Sequence, residues 1–546
     1  MQTSVGDAVT IGGTVGATVG GTVGVTVREG GTGSGVLAVG REPLRSLDVV
    51  AVARAGAEVT FPPDVLERVA ASRARLDAVA DGDQPVYGVS TGFCGLAGVR
   101  IPVRDREELQ ESLVRSHAAG VGPEVEREVV RAMMLMRLRT MASGRTGVRP
   151  ELLLAYAAML NAGITPVVHE YGSLGCSGDL SPLSSVALAL LGEGEVHDVA
   201  GVRRTAAEAL AAAGLAPVRL AAKEGLSLIN GTDGMLGMLA LALHDLVNVL
   251  RAADVAAAVS VEALLGTDRA FAADLMALRP HPGQGASAAN LRALLAGSPL
   301  VAARKATPGA KVQDAYSLRC TPQVHGAARD TLSHAQAVAD RELSSAIDNP
   351  VVLADGEVAS SGNFHGAPLG YVLDFLAIAA ADVAGISERR TDRLCDVSRS
   401  AGLPAFLAED PGLHSGMMIA QYTAAGIVSE LKRLAVPASV DSLPTSAMQE
   451  DHVSMGWHAA RKLRRAVEGL ADVVAIELVT GVRGLRLRAP LQPAAATAAV
   501  VALLDGVDAG RPGPDRHLSP ELAAAGRLVR SGAVVEAAER VTGPLA

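Results

Sequence analysis

The chain has 546 residues, 49% of them hydrophobic but only 2% aromatic, and a formal net charge of −9. No dense Lys/Arg run offsets that acidic balance, which argues against a nucleic-acid or anionic-membrane partner and points to a small molecule. A core this poor in rings must close by packing Ala, Leu, Val and Gly, which suits close-set helices better than sheets, so a mainly α protein is expected. Cys94, Cys176, Cys320 and Cys395 are far apart and show no CxxC spacing, which predicts a reduced, cytoplasmic chain. The start lacks a basic segment followed by an apolar one, so no signal peptide is expected. The apolar runs at Met235–Leu250 and Tyr371–Ile386 carry Asp245, Asp374 and Asp382; they read as buried helices, too polar for a bilayer span.

In chain order, residues 1–34 form a Gly/Thr/Val-rich tract, read as a flexible tail because glycine at that density disfavours helix. Residues 35–220 make an N-terminal region. Pro62-Pro63 signals a helix start, with helical periodicity from Val65 to Val79, and further helical patterns cover Glu107–Ala119, Glu124–Ala142 and Pro150–Leu160. Residues 221–546 are expected to be a central and C-terminal helical bundle, nearly continuous in helix pattern from Met235 to Gly469. Three Gly-rich polar stretches interrupt the chain at Tyr87–Gly98, Glu170–Pro182 and Leu228–Gly234; loops on a rigid scaffold are where chemistry concentrates.

The most specific stretch is Gly172-Ser173-Leu174-Gly175-Cys176-Ser177-Gly178-Asp179-Leu180. Glycines flank Ser177 tightly enough for the backbone to fold where a side chain would clash. It is no hydrolase elbow, because Asp179 stands where G-x-S-x-G needs glycine. The segment resembles the self-processing loop of the histidine and aromatic amino-acid ammonia-lyase family, G-S-x-G-A-S-G-D-L, with Cys176 in place of alanine. Six further segments resemble the family in its order: Tyr87–Phe93 (YGVSTGF, Ser90 for Asn), followed by Cys94 for Gly; Leu228–Thr232 (LINGT), with Asp233 for Gln; Gln313–Cys320 (QDAYSLRC); Glu342–Pro350 (ELSSAIDNP), with Ser344 for Asn; Gly362–His365 (GNFH); and Pro437–Met455, with Met448 for Asn.

The resemblance implies a long central helical bundle with a loop-built site, assembled as a homotetramer whose sites are shared by three chains. It also implies a prosthetic group, 4-methylidene-imidazole-5-one, formed from Cys176, Ser177 and Gly178. Tyr87 would be the base that removes the β-proton, provided neighbouring positive charge or hydrogen bonds lower its pKa. Arg319 would anchor the substrate carboxylate in bidentate fashion. Asn230, Gln313 and Tyr316 would position the ring and the amine, and Phe364 would wall the pocket. No His/Cys/carboxylate cluster has metal-ligand spacing, so no metal is expected.

Two positions point to the substrate. Histidine-specific members carry the Ser-His pair seen here as Ser116-His117, and Glu450 stands where aromatic-selective members place Gln. An imidazole needs hydrogen-bonding partners that both residues supply. The expected activity is therefore conversion of L-histidine to urocanate and ammonia. An aromatic amino-acid ammonia-lyase, a 2,3-aminomutase of the same family and a catalytically inactive helical scaffold remain the alternatives.

Overall fold

A computed structural model describes residues 35–80, 85–176, 178–306 and 312–546. The tail expected over residues 1–34 and the loop serine, Ser177, lie outside the described residues. Among the described residues the protein is mainly helical. Four long helices, Asp233–Ala263, Thr321–Ser344, Ala367–Cys395 and Gly456–Arg486, pack into a central bundle, with Met418–Leu434 laid across the last two and Arg127–Ala142 against the first. Small residues set the close approach: a Cβ at Gly481 would come within 2.7 Å of Val259 Cγ1 on the facing helix. This is how a core with few rings is filled, by short helix–helix distances rather than bulky side chains.

One buried carboxylate ties three of these helices together. Glu477 accepts Arg390 Nε at 2.5 Å and Arg390 Nη2 at 2.8 Å, and hydroxyl bonds of 2.6 Å from Ser260 and Ser387. Arg390 and Glu477 are both fully buried, so removing either partner would strand an uncompensated charge at a cost of about 3–5 kcal/mol.

The helices expected from periodicity are present as Pro63–Ala80, Arg106–His117, Arg127–Ala142 and Pro150–Asn161. The strands are short and unexpected: Val36–Ala38 pairs in parallel with Glu58–Thr60, and Val121–Glu124 pairs antiparallel with His169–Tyr171. The nearly continuous helix pattern expected from Met235 to Gly469 is interrupted, among the described residues, between Ala263 and Thr321, where only shorter helices occur, and at residues 345–366, 396–417 and 435–455; all of these breaks but 396–417 carry expected site residues. Helices in Glu224–Ala263 and Ala367–Cys395 are, by length and composition alone, apolar enough to cross a membrane, contrary to the sequence reading; 72% and 56% of their most apolar windows are buried within the protein.

Candidate active site

The glycine-rich segment around Cys176 and Gly178 runs from strand His169–Tyr171 to helix Leu180–Leu190. Asp179 anchors it. Its Oδ2 accepts the backbone N–H of Gly234 at 2.8 Å and of Met235 at 3.0 Å, and its Oδ1 accepts Ser173 Oγ at 2.8 Å. A carboxylate on the first free N–H groups of the Asp233–Ala263 helix satisfies donors that the helix cannot pair itself. Burial nonetheless pushes the Asp179 carboxyl up to about 7, with the backbone and Ser173 bonds opposing. The Asp179 amide in turn donates to Gly231 O at 2.7 Å. Gly178 has φ +84°, and a Cβ there would overlap the Gly231 backbone. Only glycine fits that contact.

Two remote loops dock on the same segment. Gly175 O accepts Gly366 N at 3.0 Å and Ser454 Oγ at 2.5 Å, and Leu174 O accepts Met455 N at 2.9 Å. These bonds bring Phe364 and Glu450 to the loop. The Glu450 turn closes on itself through Thr445 N to Glu450 O at 2.8 Å and holds Ser446, Ala447 and Met448 at φ of +51°, +53° and +71°. Non-glycine residues in the left-handed region store strain, which tends to accumulate at functional sites.

The resulting cavity, about 540 Å³, is lined by Tyr87, His117, Cys176, Asn230, Phe364 and Glu450, all of them expected from the sequence. Cys94 links two of them: its N–H donates to Tyr87 Oη at 2.9 Å, and its thiol donates to Glu450 Oε1 at 3.1 Å. The Cys176 thiol donates to Glu450 Oε2 at 3.4 Å, and Thr445 Oγ1 donates to the same oxygen at 3.1 Å. His117 Nδ1 lies 3.0 Å from Ser116 Oγ, and burial lowers its pKa. His365 and His452 also line the cavity, with Nε2 of one 3.2 Å from Nδ1 of the other.

Gln313, Tyr316 and Arg319 do not line this cavity. Within one chain Tyr316 is 71% exposed, and the Arg319 guanidinium stacks 4.7 Å over its ring. Tyr87 also departs from expectation. Burial, followed by Cys94, raises its pKa, while the Cys94 N–H is the contact that lowers it. Among the described residues, no cation is among the causes that set the Tyr87 pKa.

Asn230 is the test of whether a flat, polar ring fits here. It is 4% exposed, and its Oδ1 is buried with no hydrogen-bond partner. An orphaned buried acceptor on a residue that lines the same cavity as Cys176, beside a loop in which position 178 admits only glycine, suits the methylidene-imidazolone that the resemblance implies. Among the described residues no three His, Cys, Asp or Glu side chains gather at metal-ligand distance.

The departures from the family pattern also find physical reasons. Asp233 forms a buried 2.8 Å ion pair with Arg137, which a neutral glutamine would not provide. Ser90 Oγ accepts the Val86 N–H at 2.9 Å, ordering the Tyr87 loop. Sequence reasoning missed Arg137 and the bridging role of Cys94. The signal for Cys94 was present, since it occupies a position where glycine is usual and has φ +49°.

Known proteins resemble this chain along most of its length. The family model described as aromatic amino acid lyase matches residues 44–505. Histidine ammonia-lyase of Streptomyces griseus is 62% identical over 512 residues, 93% of this chain and 99% of the relative. That of Streptomyces coelicolor is 60% identical over 509 residues, again 93% of this chain and 99% of the relative. Among solved structures, histidine ammonia-lyase from Trypanosoma cruzi superposes with a TM-score of 0.84 at 39% identity, covering 92% of this chain and 95% of that one. Tyrosine aminomutase from Streptomyces globisporus gives 0.88 at 36% identity, covering 94% and 100%.

Proposed function

The chain belongs to the aromatic amino acid lyase family, and from that premise we propose that it is a histidine ammonia-lyase, a carbon–nitrogen lyase that takes L-histidine to urocanate and ammonia. The observation that carries the reading is the cavity in which Tyr87, Asn230 and the Cys176 loop meet His117 and Glu450. The first three supply machinery for elimination; the last two supply polar partners for an imidazole. Relatives at 60–62% identity bear the histidine name, whereas the aminomutase stands at 36%.

In this reading Tyr87, as phenolate, takes the β-proton, the Cα–N bond breaks, the electron pair closes the new double bond and the amine departs. The methylidene-imidazolone from Cys176-Ser177-Gly178 supplies an electrophilic carbon that turns the amine into a better leaving group. Asn230 would hold that ring and Phe364 would wall the pocket against water. Glu450, held by Thr445 and both thiols, faces the imidazole together with His117. Arg319, Tyr316 and Gln313 reach the cavity from neighbouring chains of a homotetramer; Arg319 binds the substrate carboxylate, and its charge draws Tyr87 toward ionisation. The enzyme works in the cytoplasm, where its four cysteines, none in a disulfide, stay reduced. The test is incubation with histidine, phenylalanine and tyrosine, with products identified by mass and ultraviolet absorbance. Urocanate from histidine supports the reading; cinnamate, coumarate or a β-amino acid as main product overturns it.

A further inference from the structure

We infer that Arg137 is a positioning residue for formation of the electrophile, acting as a rigid back wall behind the Asn230–Gly231 turn that presses on Gly178. This rests on the proposed self-processing of Cys176-Ser177-Gly178. Arg137 is fully buried. Its Nη1 donates to Ser227 O and Asn230 O, each at 2.9 Å, and its Nη2 donates to Ile347 O at 2.9 Å and pairs with Asp233 Oδ2 at 2.8 Å. One planar fork thus ties the helix Glu224–Ile229, the turn that follows it and a distant loop into one block, a geometry that an ammonium group does not reproduce.

There is no slack between that block and the processing loop. A Cβ on Gly231 would overlap Arg137 Nη2 on one side, and a Cβ on Gly178 would overlap Gly231 O on the other. The Asp179 N–H closes the stack on Gly231 O at 2.7 Å. Guanidinium, Gly231 backbone and Gly178 backbone are therefore in serial contact.

Ring closure needs such compression. The Gly178 nitrogen adds to the Cys176 carbonyl carbon, and that oxygen leaves as water with the amide hydrogens of Gly178 and Ser177. A second water carries away the Ser177 Cα hydrogen and hydroxyl, with no net oxidation or reduction. The barrier is dominated by bringing an unreactive amide nitrogen against a carbonyl two residues back, and loss of that placement slows an intramolecular reaction steeply.

The experiment follows intact mass against time after cell-free synthesis, scoring only soluble, folded chain. Arg137→Lys keeps a charge beside Asp233 but loses the fork; it should shed the two waters about 10-fold or more slowly than wild type. Glu477→Gln, which breaks the remote buried pair with Arg390, serves as the control and should lower Tm while maturing at the wild-type rate. Should Arg137→Lys yield no soluble chain, Asp233→Ala, which releases Nη2 from its carboxylate, is read with the same expectation. If Arg137→Lys (or that substitute) matures as fast as wild type, or Glu477→Gln slows equally, the role of Arg137 is overturned. A wild-type chain that never loses two waters overturns the electrophile itself, a separable result.

Discussion

Cys94 donates its thiol hydrogen to Glu450 Oε1 across 3.1 Å, while its backbone N–H holds the Tyr87 hydroxyl oxygen at 2.9 Å. One residue thus bridges the proposed base and the proposed imidazole partner. It does so from φ +49°, where a side chain is strained, so the two bonds offset a conformational cost. Burial first, and then the Glu450 carboxylate, push the Cys94 thiol up to about 11, which keeps it protonated and a donor at neutral pH. Glu450→Gln removes the charge that raises this thiol, so its pKa should fall. The measurement is the pH dependence of alkylation at Cys94, resolved by peptide mass. In the variant, alkylation should begin at lower pH than in wild type. An unchanged or higher onset would mean that Glu450 does not govern the thiol.

The proposed electrophile predicts a signature independent of turnover. Intact wild-type protein should weigh less than its sequence by two waters. Ser177→Ala should restore full mass and abolish activity, because without the hydroxyl Cβ cannot lose water to become the methylidene carbon. A full-mass chain that still deaminates histidine would remove the prosthetic group from the mechanism.

The separation of Tyr87 from Arg319 predicts complementation. Gln313, Tyr316 and Arg319 stand outside the cavity that Tyr87 lines, and Tyr316 is 71% exposed within one chain. Tyr87→Phe and Arg319→Ala should each be inactive alone. Co-refolded mixtures should regain part of the activity, because some hybrid sites receive both intact residues. Mixtures as inactive as their parents, or a fully active wild-type monomer, would rule out sites shared between chains.

Much of this was legible in the sequence because the motifs act jointly. Tyr87, Cys176, Asn230, Phe364 and Glu450 come from loops far apart in the chain, yet each sits in a recognisable segment, and the structure places all five around one cavity. Arg137 was not legible. In a helix reading Arg127–Ala142 an arginine looks like surface charge, and only the three carbonyls it meets, from Ser227, Asn230 and Ile347, mark it as interior. The Glu450 turn was hidden for a different reason: Ser446, Ala447 and Met448 adopt left-handed backbone with no glycine to signal it. The short strands escaped because pairs such as Val121–Glu124 with His169–Tyr171 are too brief to show alternation.

Substrate choice follows from the tautomer of His117. Ser116 Oγ lies 3.1 Å from Leu113 O and 3.0 Å from His117 Nδ1. When its hydrogen goes to Leu113 O, it accepts from His117 Nδ1, the hydrogen of a neutral His117 sits on Nδ1, and Nε2 is left as an acceptor. Burial lowers the pKa of His117, favouring that neutral form at pH 7. Glu450, an acceptor when ionised, also lines the cavity. The proposed site thus presents the His117 acceptor to a ring N–H, of which neutral imidazole has one and phenyl none. A phenyl ring would leave the His117 acceptor unmatched at roughly 1–3 kcal/mol, a discrimination on the order of 10–10² in kcat/KM. Ser116→Ala frees the tautomer and should raise KM for histidine several-fold with kcat nearly kept. Glu450→Gln should lower histidine turnover far more than it weakens binding of an apolar analogue. His117→Phe should shift preference toward phenylalanine. Steady-state kinetics on histidine and phenylalanine decide the matter: if His117→Phe leaves the ratio of the two kcat/KM values unchanged, His117 does not read the ring, and the imidazole must be recognised elsewhere in the cavity.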